Sequence, residues 1–157
     1  MKKTLLIIFL ALTMVFSLVA CDNDASNESE SLIFNSRGDG TCTVKGKPDS
    51  TETSVVVPAT SPAGDTVVSV NLEGCVNVEQ VTLPEGLESI AGFVFYETEA
   101  LLELTIPASV NDINEDAFMY YPEDMVLTVA PDSYAQQWAA ENEFAYIVAE
   151  PVAEAAN

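Results

Sequence analysis

The sequence predicts a repeat solenoid: short parallel β-strands joined by irregular and 3-10 return segments, an N-terminal β-hairpin cap and a C-terminal capping α-helix. Three observations predict it. An apolar pattern recurs at a constant step along the chain, a proline closes the recurring strand motifs, and turn and capping signals stand at the two ends of the array.

The step is clearest in the middle of the chain. Val81-Thr82-Leu83-Pro84 returns as Leu104-Thr105-Ile106-Pro107, and the same displacement pairs Leu87 with Val110, Ile90 with Ile113, Phe95 with Phe118 and Val78 with Leu101. Backwards, Phe95 maps to Leu72 and Thr98 to Cys75. Val55-Val56-Val57-Pro58 takes the strand position once three extra residues are accommodated around Ser61 to Gly64. Forwards, Leu127-Thr128-Val129 keeps the step, giving four turns. Within each strand motif the outer two side chains point inward and the middle one outward. Ile90, Phe95 and their counterparts fill the opposite wall. A single turn cannot bury both walls, so neighbouring turns must stack.

The ends need covers. The segment from Leu32 to Val44, with its Gly38-Asp39-Gly40 turn signal, predicts a hairpin over the first turn. At the far end Ser133 stands three residues before Gln136, which opens a helix through about Glu141. Tyr134 and Trp138 are spaced i, i+4, on one predicted face, with Trp138 as a lid on the stack.

The spacing of Leu101, Leu104, Ile106, Pro107, Val110, Ile113, Ala117 and Phe118 resembles the leucine-rich repeat of BspA-type bacterial surface proteins. The resemblance extends to Asp39-Gly40-Thr41, to Gly74-Cys75, and to Ser133-Tyr134-Ala135 with Glu141-Asn142 at the close. It departs from the family at Leu72, where phenylalanine is usual, at Thr98 and Tyr121, where cysteine is usual, and in the longer first repeat. The resemblance implies a leucine-rich-repeat domain over 32–148 and a surface protein associated with attachment to host or neighbouring-cell components.

Residues 1–20 read as a lipoprotein signal peptide. Lys2 and Lys3 precede an uncharged run from Thr4 to Ala20, and Leu18-Val19-Ala20-Cys21 resembles a lipobox with Cys21 as the lipidation site. Residues 21–31 then form the lipidated cysteine and an acidic disordered tether, too poor in apolar side chains to order itself, and 149–157 a disordered tail. The expected location is extracytoplasmic, at the cell surface, with the lipid joining the protein to the membrane.

Charge and composition narrow the chemistry. Five Lys+Arg against 25 Asp+Glu give a net charge of −20, which excludes nucleic acid as a partner because phosphate binding needs clustered cations. Histidine is absent, so imidazole-based triads and His-ligated zinc are excluded. A paired-carboxylate enzyme would need a cleft that holds two carboxyl groups at a set separation, whereas stacked turns offer a surface. The sequence therefore points to a non-enzyme with no cofactor. Asp112, Asn114, Asp116 and Glu123 partly match a calcium loop, but Ala117 replaces the required glycine and Phe118 belongs to the repeat core. Weak, nonspecific divalent binding by the acidic surface is the expectation instead. Cys42 and Cys75 read as two buried thiols, with a disulfide as the alternative.

The candidate binding face comes from the outward strand positions. Val56, Thr82, Thr105 and Thr128 fall in one column; Ser54, Gln80, Glu103 and Val126 fall in the next, and Tyr96 and Tyr120 stand beside the core aromatics as a rim. Threonine's fit to exposed strands explains such a column equally well. The expected function is a lipid-anchored adhesion module that recognises protein or glycan. An extracytoplasmic enzyme or inhibitor accessory with a carboxylate site, and a purely structural envelope lipoprotein, are the alternatives.

The charge count makes a prediction. Twenty of the 25 carboxylates lie in 48–157, a stretch without lysine or arginine, so self-repulsion is largely unrelieved by ion pairs. Adding salt or millimolar calcium raises Tm in thermal melts; a Tm insensitive to both contradicts the repulsion.

Overall fold

The computed structural model describes residues 31–149. The leader, Cys21, most of the tether and the residues after Ala149 lie outside the described residues. The described part is strand-rich with one α-helix. Its order is β1 (Leu32–Ser36), β2 (Thr41–Gly46), β3 (Ser54–Val56), β4 (Thr66–Asn71), β5 (Gln80–Thr82), β6 (Ser89–Ile90), β7 (Glu103–Ile106), β8 (Asp112–Ile113), a 3-10 turn η1 (Glu115–Phe118), β9 (Val126–Val129), α1 (Tyr134–Glu141) and β10 (Ala145–Val148). Among the described residues no helix is long and apolar enough to cross a membrane.

One wall is a five-stranded sheet in the order β10-β9-β7-β5-β3, parallel throughout. Val81 pairs with Leu104 and Leu104 with Leu127, so the step read from the sequence is the register of the sheet. Alternation does the rest. Val81, Leu83, Leu104, Ile106, Leu127 and Val129 are buried; Pro107 follows β7 directly and Pro84 follows β5 after one intervening residue. The first strand, β3, joins at a longer interval, with Val55 opposite Val81. The excess is taken up by a compact loop. The Ser61 N–H donates to the Asp65 carbonyl, and the Asp65 N–H donates to Ser61 Oγ at 3.1 Å.

The opposite wall is broken into two sheets. β6 and β8 form a short parallel ladder with Ile90 opposite Ile113, while β4 pairs in parallel with β2 of the antiparallel β1–β2 hairpin. The hairpin therefore extends this second wall alongside β4 and does not lie across the edge of β3. Its turn is fixed by Asp39, whose Oδ1 accepts from the Thr41 N–H at 3.0 Å and from Thr41 Oγ1 at 2.6 Å. The hydroxyl bond first, and the backbone bond with it, hold the Asp39 carboxyl below its ordinary value.

Between the walls, return segments bond to one another through their backbones. The Leu72 N–H donates to the Val94 carbonyl, Gly74 N–H to Tyr96 and Phe95 N–H to Ala117. The aromatic core follows the same step, since Phe95 and Phe118 stack with centroids 5.4 Å apart and planes 14° apart. Trp138 and Phe144 then close on Phe118 at 5.4 Å and 5.2 Å.

A further feature repeats at the same interval: Gly74, Glu97, Tyr120 and Glu143 have φ of 76°, 58°, 61° and 60°. The left-handed conformation costs an L-residue roughly 1–2 kcal/mol, which glycine avoids at the first of these positions and the other three do not. Glu143 performs the same turn directly after α1, where its positive φ reverses the chain.

Two expectations are corrected. Tyr134 and Trp138 do not share a buried face: Tyr134 is 42% exposed, and the buried side of α1 is Ala135, Trp138 and Ala139, at i, i+3, i+4. The helix also does not end the array, because the chain turns after Glu143 and adds β10 beside β9, with Tyr146 opposite Leu127. Ser133 caps α1 as expected, accepting from the Gln136 N–H at 3.2 Å.

Gly46 and Cys75 mark a close approach of hairpin to core, since a Cβ on Gly46 would meet the Cys75 sulfur and the Leu72 side chain. Gly46→Ala lowers stability by about 1–3 kcal/mol through overpacking. Cys75→Ala added to it recovers part of the loss, so denaturant unfolding of the double variant shows less than the sum of the two single effects. A strictly additive cycle contradicts the contact.

Candidate functional site

The five-stranded sheet sets its outward residues in two columns. Val56, Thr82, Thr105 and Thr128 are mutually in register, and so are Ser54, Gln80, Glu103 and Val126, as the strand pattern requires. β10 extends both columns with Ile147 and Ala145, which sequence reasoning missed. The threonines are half-buried between their neighbours, while the two ends of the column are apolar and open: Val56 is 68% and Ile147 58% exposed. In the second column Gln80 Nε2 donates to Glu103 Oε2 at 3.0 Å, tying adjacent turns together on the surface.

An open cleft of about 630 Å³ adjoins the Val56 end. It lies between the edge strands β1 and β3 and is lined by Leu32, Phe34, Ser54, Val56, Pro58 and Glu52 among others. A single carboxylate, Glu52, stands in it, so it does not hold a carboxyl pair.

Tyr96 and Tyr120 are not on the strands. They sit in the loops after β6 and after η1, where their rings meet edge-to-face with centroids 5.9 Å apart. The structure brings these two together but does not place them in the strand columns. A smaller concavity of about 290 Å³ opens between them and Glu97 and Glu99.

Two residues of the partial calcium loop belong to local structure, and a third position inside it is core. Asp112 lies in β8, Asn114 Oδ1 accepts from the Asp116 N–H at 2.9 Å as the cap of η1, and Phe118 is core. Among the described residues no group of three or more histidine, cysteine, aspartate or glutamate side chains converges to hold a metal.

Cys42 and Cys75 are both free and buried. Cys42 Sγ lies 3.7 Å from the Asp65 carbonyl as a weak donor. Desolvation pushes both thiols up from the ordinary value, assisted at Cys42 by the nearby Asp65 charge.

With this geometry in view, comparison with known proteins adds one likeness. Residues 66–124 match a family model of six repeat copies, described as BspA type leucine rich repeat region. No curated protein and no solved structure matches the chain. The matched stretch runs from β4 to just before β9 and contains Thr82, Thr105, Tyr96 and Tyr120.

A thiol whose folded pKa is raised favours the folded state fully below the unfolded thiol value, and that contribution is lost as pH rises through the folded value. Stability therefore declines on the alkaline side, and Cys42→Ala/Cys75→Ala flattens that decline in melts across the thiol range. In the native protein both thiols alkylate slowly, and denaturant exposes them; fast native alkylation mapped by mass to either residue contradicts their burial.

Proposed function

We propose that this chain is a noncatalytic recognition module: a short leucine-rich-repeat solenoid, anchored through lipid on Cys21 at the cell surface, that offers its strand columns to a protein or glycan. One observation carries the reading. The outward residues of successive turns are held in register on one parallel sheet, so that Val56, Thr82, Thr105, Thr128 and Ile147 form a continuous shallow strip with exposed apolar ends. A strip of this kind suits an extended partner better than a small substrate, which needs convergent polar groups in a concave pocket. The repeat likeness over 66–124 supports the module, because stacked repeats create extended binding surfaces.

The leader and Cys21 support the lipid-anchored location, and the resemblance to surface proteins supports adhesion. Divalent cations take the part of diffuse counterions to the −20 charge and have no dedicated site in this reading.

The test is a binding screen against matrix proteins and glycans, with and without calcium. Thr82→Ala/Thr105→Ala/Thr128→Ala weakens capture of any positive by about tenfold while circular dichroism and Tm stay near those of the parent chain. Full cell attachment by this variant favours an architectural envelope role instead. Cys21→Ala moves the chain out of the membrane fraction; retention there contradicts the lipid anchor.

A further inference from the structure

The loops after β6 and η1 build a second surface, outside the strand columns. Tyr96 and Tyr120 meet with centroids 5.9 Å apart and planes at 67°, and Phe93 meets Tyr96 at 6.2 Å and 77°. An edge-to-face pair leaves ring face uncovered. The concavity beside the two tyrosines is completed by Glu97 and Glu99.

Tyr120 is the most open of these rings. It is 75% exposed, so it contributes little to the core, and it occupies the left-handed position at which the first turn uses Gly74. A bulky L-residue at positive φ is an outlier, and folding alone would favour glycine there. Glu97, at the equivalent position one turn earlier, also sits at positive φ and lines the cleft. Two consecutive members of the left-handed series, Glu97 and Tyr120, thus line one concavity, while the next member, Glu143, does not.

We propose that this cleft binds a cationic side chain, a guanidinium or an ammonium, from a lysine- or arginine-bearing segment of a partner protein. A cation over a tyrosine face is attracted by the ring quadrupole, and two adjacent carboxylates add direct charge pairing. The chain contains no lysine or arginine after Lys47, so the cation comes from another molecule, a basic segment of a partner or the N-terminal cations of a second copy, such as Arg37, Lys45 and Lys47. A basic protein segment is favoured over a second copy because the net charge of −20 drives copies apart. It is favoured over a neutral glycan because sugar rings gain nothing from that field. The proposal rests on the recognition reading and adds a ligand class at a separate place on the molecule.

The test measures the affinity of the full-length chain for a hexa-arginine peptide at physiological ionic strength, with a hexa-citrulline peptide and chitohexaose as comparisons. Tyr120→Gly and Glu97→Gln/Glu99→Gln each weaken hexa-arginine binding about three- to tenfold. Glu85→Gln/Glu88→Gln, which removes the same charge elsewhere, weakens it less than about twofold. Tyr120→Gly also leaves Tm unchanged or higher, because glycine relieves the strain. Thr82→Ala/Thr105→Ala/Thr128→Ala leaves this affinity unchanged, so failure of the strip and failure of the cleft are read separately. The proposal is overturned by equal losses from the two glutamine pairs, by equal binding of the arginine and citrulline peptides, by chitohexaose binding without peptide binding, by self-association that accounts for the signal, or by a Tm drop in Tyr120→Gly.

Discussion

The structure depends on one constraint: the inward side chains of a turn are buried only when another turn lies against them. Val81, Leu83, Ile90 and Phe95 cannot be enclosed by their own short segment, and they become core because Leu104, Ile106, Ile113 and Phe118 repeat the pattern one step later. Each such side chain is worth roughly 1.5–3 kcal/mol when removed from water. Those gains arise at the boundary between turns, which is why one interval recurs so widely, in sheet register, ring stacking and backbone sign alike. The first turn departs from the step, and its extra length is exported to the Ser61–Asp65 loop without disturbing Val55 and Val57 inside.

The same constraint makes the two ends different from the middle. At the start, the hairpin pairs one side of β4 and leaves β1 and β3 as edges with a cleft between them. At the finish, Trp138 and Phe144 cover the last core phenylalanine, yet β10 lies beyond them as an exposed strand whose Tyr146, Ile147 and Val148 are partly open. The middle is regular and the ends are where the chain departs from its own rule. The strip spans both regimes, threonine in the centre and aliphatic at either end.

Much of this was legible in the sequence because the signal was periodic. The pairs Leu104 with Val81 and Phe118 with Phe95 needed only a constant offset, and Ser133 with Gln136 needed only a local capping pattern. β10 was not legible, since Ala145 pairs with Val126 at a shorter offset, after α1 has replaced the usual return segment. The left-handed series was hidden for another reason: Gly74 announces it, but Glu97, Tyr120 and Glu143 carry no residue-type signal for positive φ. The position is imposed by the turns around it. Of the candidate site, the strand columns were readable from alternation, whereas the meeting of Tyr96 with Tyr120 needed the loops in space. The buried face of α1 was misread because i, i+4 spacing fits two faces, and only packing selects Ala135, Trp138 and Ala139.

Register also decides what is left outside. A core shared between turns forces the outward residues into columns, and an almost uninterrupted excess of carboxylates keeps that exterior hydrated and repellent to its own kind. The most direct test of the central claim is a whole-turn deletion. Removing the segment from Val81 through Glu103 joins Gln80 to Leu104 and preserves the register, whereas a deletion three residues shorter breaks it. Circular dichroism with denaturant unfolding of the in-register deletion gives a cooperative, less stable β-rich protein, and the out-of-register deletion gives no cooperative transition. Equal behaviour of the two deletions would contradict turn-on-turn stacking as the source of the fold.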